Sequence, residues 1–323
     1  MTRTTALLLL ALCLLPLPSP AAEPLTLYAK PVPLNPEDAT QRKVGLLEWR
    51  GSLEISSSDS RFGGLSGLLL EAEKQRLLAI TDRGYWITAA LRHDEAGMLI
   101  GLGEAEIGRL RDGDGRVLTS KRAGDAEALA RLADGATLVA FEQAHRIWRY
   151  PAGPTPLERP AEAFPSPPNL SSLKRNGGLE AVAELPRGRL LGLVEHETEA
   201  ATLPGFLWHN GKWAEVALTR LGPYRPTGAA ALPSGDVLLL ERRFSFIGGL
   251  GIKIRRLPLA SIEPGATLDG EVIAELHPPL IYDNMEGIAA APEAGGARVY
   301  IVADDNFNIT QRTVLMSFWL AGG

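Results

Sequence analysis

Glu286 and Asp304 stand eighteen residues apart, inside the stretches Asn284-Met-Glu286-Gly287-Ile288 and Val302-Ala-Asp304-Asp305-Asn306. Between them lie small residues to Ala291, a Pro-Glu-Ala-Gly-Gly turn and a β-branched run from Val299 to Val302. That pattern predicts a β-hairpin, and a hairpin returns to the edge it left, so both carboxylates share one end of a sheet. Two acids at one edge can hold a cation or share a proton.

Four more stretches repeat the arrangement. They are Leu65-Ser-Gly-Leu to Asp82, Ala126-Glu-Ala-Leu to Glu142, Leu179-Glu-Ala-Val to Glu195, and Pro226-Thr-Gly-Ala to Glu241. The first polar position recurs at 66, 127, 180, 227 and 286, at intervals of 61, 53, 47 and 59 residues. The second follows after 16, 15, 15, 14 and 18 residues. Two circles of oxygens result. One holds Glu127, Glu180 and Glu286, with Ser66 and Thr227 where acids are absent. The other holds Asp82, Glu142, Glu195, Glu241 and Asp304, joined by Asp305.

Converging carboxylates raise one another's pKa unless a cation compensates them. Hard oxygen donors of mixed carboxylate, carbonyl and Asn character suit calcium better than magnesium, which demands stricter geometry. The expected metal ligands are Glu127, Glu180, Glu195, Glu241, Glu286, Asp304 and Asp305. The alternative is a structural network in which the acids pair with Arg83, Arg225, Arg242, Arg243 and Lys174. Arginine forks also grip phosphate or carboxylate, so Arg83, Arg225, Arg242 and Arg243 are the candidate substrate-binding groups. His196, between Glu195 and Glu197, joins Glu180, Glu286 and Asp82 as a catalytic candidate.

Positioning these residues calls for a repeat architecture. After each hairpin come further strand-like runs, such as Tyr85–Leu91 with Leu99–Ile107, and Gly205–Trp208 with Trp213–Leu218 across a His209-Asn-Gly-Lys turn. Units of about four antiparallel strands are β-propeller blades. Five hairpins favour five blades, and six remain open if residues 23–60 form more of a blade. The last copy ends early, with Thr313–Leu320. Lys43–Trp49 and Ser52–Ile55 are therefore expected to complete it and close the ring. Gly67, Ala128, Ala181, Gly228 and Gly287 follow the first polar positions, and small residues suit strands crowded at an axis.

Residues 1–22 read as a signal peptide: Arg3, an apolar run from Ala6 to Leu15, and Ser19-Pro-Ala-Ala22 for cleavage. Residues 23–323 are then one exported domain, periplasmic or secreted. The single cysteine of the sequence, Cys13, lies in the signal, which excludes disulfides and thiolate chemistry from the remainder. The formal net charge of −5 gives no electrostatic footprint for nucleic acid. No membrane span is expected, and a monomer is.

Gly63-Gly-Leu-Ser-Gly-Leu68, Ile80-Thr-Asp-Arg-Gly84, Asn176-Gly-Gly-Leu-Glu-Ala181, Leu239-Leu-Glu-Arg-Arg243, Asn284-Met-Glu-Gly287 and Ala303-Asp-Asp-Asn-Phe307 together resemble the "esterase-like activity of phytase" family. The resemblance implies an exported bacterial propeller with phosphoesterase activity at Asp82, Arg83, Glu127, Glu180, Glu241, Glu286, Asp304 and Asp305. The sequence departs from the family pattern at Ala128, where Gly is usual, and at Thr227, where an acid is. Three functions follow: a calcium-dependent phosphoester hydrolase, a non-catalytic ligand- or partner-binding propeller, or a lactonase or carboxylic-ester hydrolase.

Overall fold

Each expected hairpin forms, and each grows outward into one sheet, antiparallel except where Thr267–Leu268 edges blade 3 in parallel, giving five blades of a β-propeller. The computed structural model describes residues 22–323 except 72, 74, 154, 156, 197, 198, 246 and 247, so the signal-peptide expectation lies outside the described residues apart from Ala22. Blade 1 runs from Leu65–Glu71 through Arg76–Thr81 and Tyr85–His93 to Leu99–Arg109, with Glu23–Pro24 added at its edge. Blade 2 comprises Ala126–Arg131, Thr137–Phe141, Arg146–Tyr150 and Glu162–Phe164. Blade 3 comprises Leu179–Leu185, Arg189–Val194, Thr202–His209 and Lys212–Thr219, edged by Thr267–Leu268. Blade 4 comprises Arg225–Ala231, Val237–Ser245, Gly249–Leu257 and Glu271–Leu276.

Blade 5 closes the ring. Met285–Glu293, Gly296–Ala303 and Thr313–Ala321 come from the C-terminal end of the chain, and Leu47–Ser56 pairs with Thr313–Ala321 from the N-terminal side. Of the runs expected there, Lys43–Trp49 and Ser52–Ile55, the part from Leu47 onward is one strand interrupted by a bulge, because the register slips between Met316↔Ser52 and Phe318↔Trp49, whereas Lys43–Val44 is a separate strand. Gly51, at φ +110°, makes that bulge possible: a Cβ there would lie 2.4 Å from Leu99 O of blade 1. Tyr28–Val32 and Lys43–Val44 flank the closing strand.

The core is divided among the blade seams. Five apolar clusters lie between blades 1 and 2, 2 and 3, 3 and 4, 4 and 5, and 5 and 1. At the 4–5 seam, for example, Leu238, Leu240, Ile252 and Ile254 meet Met285, Ile301, Val314, Met316 and Phe318. Each fully buried Leu, Ile or Phe contributes roughly 1.5–3 kcal/mol over an exposed one. Ring closure therefore completes a seam that an open array would leave wet. The innermost strands pack side by side around the axis. Contact there is close: a Cβ on Gly228 would come within 2.8 Å of Glu286 O, and one on Gly287 within 3.0 Å of Leu68 Cβ. No helix among the described residues is long and apolar enough to cross a membrane.

Candidate active site

The first circle of polar residues is made by β-bulges. Residues Leu65, Ala126, Leu179, Pro226 and Met285 pair with Thr81, Phe141, Val194, Glu241 and Ala303. Small residues Gly67, Ala128, Ala181, Gly228 and Gly287 then pair with Ile80, Ala140, Leu193, Leu240 and Val302. In every blade one residue is left over between the two pairs. It is Ser66, Glu127, Glu180, Thr227 or Glu286. A bulged residue is unpaired and its side chain is re-aimed, so the fold repeats one backbone device five times at one mouth of the channel.

The second circle follows from the same register. The N–H groups of Asp82, Glu142, Glu195 and Asp304 donate to the carbonyls of Gly64, Asp125, Gly178 and Asn284 at 3.0, 2.8, 3.1 and 2.8 Å. In blade 4 the matching residue is Arg242, paired with Arg225. Glu241 sits one place earlier, at the core position that Thr81, Phe141, Val194 and Ala303 fill elsewhere. It is fully buried, with Oε1 accepting from Arg255 Nη2 at 2.7 Å and Oε2 lying 2.6 Å from Arg255 Nε. Burial pushes the Glu241 pKa up against the pull of Arg255. The expectation that Glu241 ligates a metal is corrected: a one-residue offset turns its side chain into the blade interior.

Arg242 brings a positive charge into the ring instead. Its Nη2 lies 3.3 Å from Glu286 Oε1 and 3.9 Å from Glu195 Oε1. Burial works against that charge, but Glu286, Glu195, Glu180 and Asp304 outweigh it and raise the Arg242 pKa. Arg225 leans on Glu195, 3.5 Å from Oε1. Arg243 is turned outward, bonded to the Tyr224 hydroxyl at 2.9 Å and to Gly248 O at 3.1 Å. Arg83 stands over the ring of Phe307, 3.2 Å from its centroid. Of the four arginines expected to act together, Arg225 and Arg242 meet at Glu195, while Arg83 and Arg243 stand elsewhere.

A cavity of about 210 Å³ opens over the two circles. Asp82, Asp125, Glu127, Glu142, Glu180, Glu195, Glu286 and Asp304 line it, with Ser66, Gln143, Asn176 and Asn306 as neutral polar groups and Lys121 as the cation. His196 and Asp305 are not in that lining. The Asp305 carboxylate is occupied by its own loop, accepting from Gly64 N at 3.1 Å, Phe307 N at 3.0 Å and Thr313 Oγ1 at 3.2 Å. Directly beneath, a void of about 10 Å³ between the bulges and the small residues has room for at most one water.

The acids divide into two neighbourhoods. Asp125, Glu127 and Glu142 each present a carboxylate oxygen within 4.8 Å of the others. Asp125 is 1% exposed; its Oδ1 accepts from Lys121 Nζ at 2.6 Å, and its Oδ2 meets no N–H or hydroxyl group among the described residues, the Glu127 carboxyl being the neighbour that can share a proton with Asp125. Burial, then Glu180 and Asp125, hold the Glu127 pKa far above the carboxylate range. Burial also pushes Glu142 up to about 7, restrained by a hydrogen bond with Glu180. Glu180 itself is raised strongly by burial and by Glu142, Glu195 and Glu286. Across the mouth, burial lifts Glu286 to about 8 despite Arg242, and Asp304 to about 7 despite the Asn306 N–H that binds its Oδ1 at 2.7 Å.

Oxygens packed this way need either protons between them or a cation. Hard donors with buried Asp125 Oδ2 facing them, and neutral Gln143 and Asn176 at the rim, are a set into which calcium fits. Asp125 and Lys121 were not foreseen. Asp125 shares its repeat position, two before the bulge, with Gly178 and Asn284, so a wider repeat window points to it. Lys121 lies on a short helix, Lys121–Gly124, capped by Ser120 between blades 1 and 2, where the repeat carries no signal.

The family model described as "Esterase-like activity of phytase", phytase-like, matches residues 60–307. No curated protein matches the sequence. Among solved structures, the chain is similar to a protein of unknown function from Dyadobacter fermentans at 12% identity, covering 87% of this chain and 86% of that one, with a TM-score of 0.45. A protein assigned as a gluconolactonase gives 12% identity, 84% and 82% coverage and a TM-score of 0.45. The PQQ-bound aldose sugar dehydrogenase of Streptomyces coelicolor gives 12%, 80% and 95%, and 0.44.

Proposed function

The chain belongs to the phytase-like family, and from that premise we propose that it is an exported, calcium-dependent hydrolase of phosphate esters. The observation that supports this reading best is the Asp125, Glu127 and Glu142 cluster, whose buried Asp125 Oδ2 meets no N–H or hydroxyl group among the described residues. Those three residues would hold the ion, with Glu180 and Asn176 beside them. Calcium would supply Lewis acidity toward a phosphoryl oxygen.

The chain's own groups divide the remaining work. Lys121 Nζ bridges Asp82 Oδ2 and Asp125 Oδ1 at 2.7 and 2.6 Å, which fixes the edge of the cluster. Asp304, held near 7, takes the proton of the attacking water. Glu286, held near 8, keeps its proton at neutral pH and returns it to the departing ester oxygen. Water's oxygen bonds to phosphorus, the ester P–O bond breaks, and an alcohol and a phosphate leave. Arg242 keeps Glu286 in place and offsets the charge that remains.

The test is turnover of an aryl phosphate, a diaryl phosphate, an aryl acetate and a lactone, each with calcium and with EDTA. Calcium-stimulated cleavage of a phosphate ester that Glu127→Gln abolishes is expected. Cleavage of the acetate or lactone alone would move the activity to carboxylic esters. Tight calcium binding without any turnover would leave a binding propeller.

A further inference from the structure

Beside the acid cavity, and sharing Asp82, Lys121 and Asn306 with it, lies a larger one of about 570 Å³. Its charge is opposite. Four cations face it, Arg61, Arg83, Arg109 and Lys121, against the one carboxylate of Asp82. Two of the four are already matched: Arg61 by Asp59 and Glu23, and Lys121 by Asp82 and Asp125. Arg83 and Arg109 have no ion pair among the described residues. Arg109 stacks on Tyr85, 4.1 Å from the ring centroid, and hydrogen-bonds its hydroxyl and Leu118 O.

The placing of Arg83 is built in with care. Its guanidinium lies on Phe307, and Phe307 has φ +50°, directly after Asn306 at φ +48°. An aromatic residue with positive φ is a steric outlier held by its surroundings. Here Asp305 holds it, through the Phe307 and Gly64 N–H groups. Gly64, at φ +63°, leaves the space that the ring and Asp82 need: a Cβ there would lie 2.2 Å from Asp82 Oδ1 and 2.6 Å from Phe307 Cε2. The strained turn therefore seats an aromatic plate under a guanidinium that carries no carboxylate, at the rim of the acid ring.

We propose that this cleft is the oxyanion subsite of the enzyme, taking a phosphate or carboxylate group of the substrate. Arg83 and Arg109 grip its oxygens, and Phe307 and Tyr85 line the apolar part attached to it. The substrate would be an amphipathic anion lying across Asp82, its charged end in the cleft and its scissile bond over the acids. The proposal rests on the acid ring being the reacting site. It also replaces the expected grouping, because Arg242 and Arg225 are engaged by Glu286 and Glu195, and Arg243 lines neither cavity.

Calorimetric titration of residues 23–323 with phenyl phosphate and with benzoate, in EDTA, tests this apart from calcium. At least one probe is expected to bind saturably, and to bind at least tenfold more weakly to Arg83→Ala, while Arg116→Ala at a remote exposed ion pair binds as the parent does. Which probe binds separates phosphate from carboxylate. Arg83 is exposed, so its replacement leaves the fold intact. No binding of either probe in EDTA, or undiminished binding by Arg83→Ala, would overturn the proposal. Calcium titration of the same samples reports on the acid ring independently.

Discussion

Glu241→Gln removes one charge from a pair that solvent does not reach. Glu241 and Arg255 are both 0% exposed, and the guanidinium meets both carboxylate oxygens, at 2.7 and 2.6 Å. Arg255 also donates from Nη1 to Thr219 O at 2.9 Å, so the pair ties blade 4 to blade 3. Breaking such a pair strands a buried charge and typically costs about 3–5 kcal/mol. Glutamine keeps one acceptor oxygen, which favours the lower figure, about 3 kcal/mol. For a chain of this size that corresponds to a fall in Tm of roughly 5 °C. Differential scanning calorimetry measures the loss, and calcium titration should show affinity within about twofold of the parent. Replacing both partners, Glu241→Leu with Arg255→Met, should recover most of the loss, since apolar groups of similar size often substitute for a buried pair. A Glu241→Gln protein that melts normally but binds calcium poorly would refute the inward placement and return Glu241 to the ring.

Arg242→Met takes away the charge 3.3 Å from Glu286; the calcium-free protein should melt lower, while calcium should bind roughly tenfold tighter or better by titration. Burial raises Glu142 and Asp304 to about 7 and Glu286 to about 8, so between about pH 4 and 8 the folded chain holds more protons than the unfolded one. Stability in EDTA should therefore fall as pH rises through that window; a Tm at pH 8 equal to or above that at pH 5 would contradict the shifts. Gly51→Ala, at φ +110° and 2.4 Å from Leu99 O, should lower Tm by far more than Gly211→Ala, where no atom lies within 4 Å of the added Cβ.

The propeller was legible because its pattern is local and repeated. A polar residue followed by a small one, and an acid about fifteen residues on, encode a bulged hairpin without help from distant contacts. Ring closure was legible as strand material left over at one end and missing at the other. What the pattern hid was register. Leu238-Leu-Leu-Glu241 ends like Val139-Ala-Phe-Glu142, but its spacing from the first polar position is one residue short. The spacing of the other blades points to Arg242, and the deviation of 14 from 15 was the clue. A charged residue at a core position became acceptable only because Arg255, on a neighbouring strand, meets it, and no local pattern announces such a partner. Asp305 looked like a ligand by its position beside Asp304. Its role depends on which N–H groups a left-handed turn presents to it, and dihedrals of that kind leave a weak mark on sequence. Lys121 arises between blades, from a segment outside the repeat, and Arg109, at the end of the last long strand of blade 1, joins Arg83 in a cleft that no local pattern announces.

Calcium titration of the parent protein, Asp125→Asn and Glu127→Gln, with proton release followed in two buffers of different ionisation enthalpy, tests the acid ring most directly. One calcium per chain is predicted, with protons released at pH 7 because the carboxyls that hold them must ionise to take the ion. Both variants should bind at least about tenfold more weakly. Absence of binding, or binding that Asp125→Asn and Glu127→Gln leave unchanged, would contradict a calcium centre built on the bulged strands.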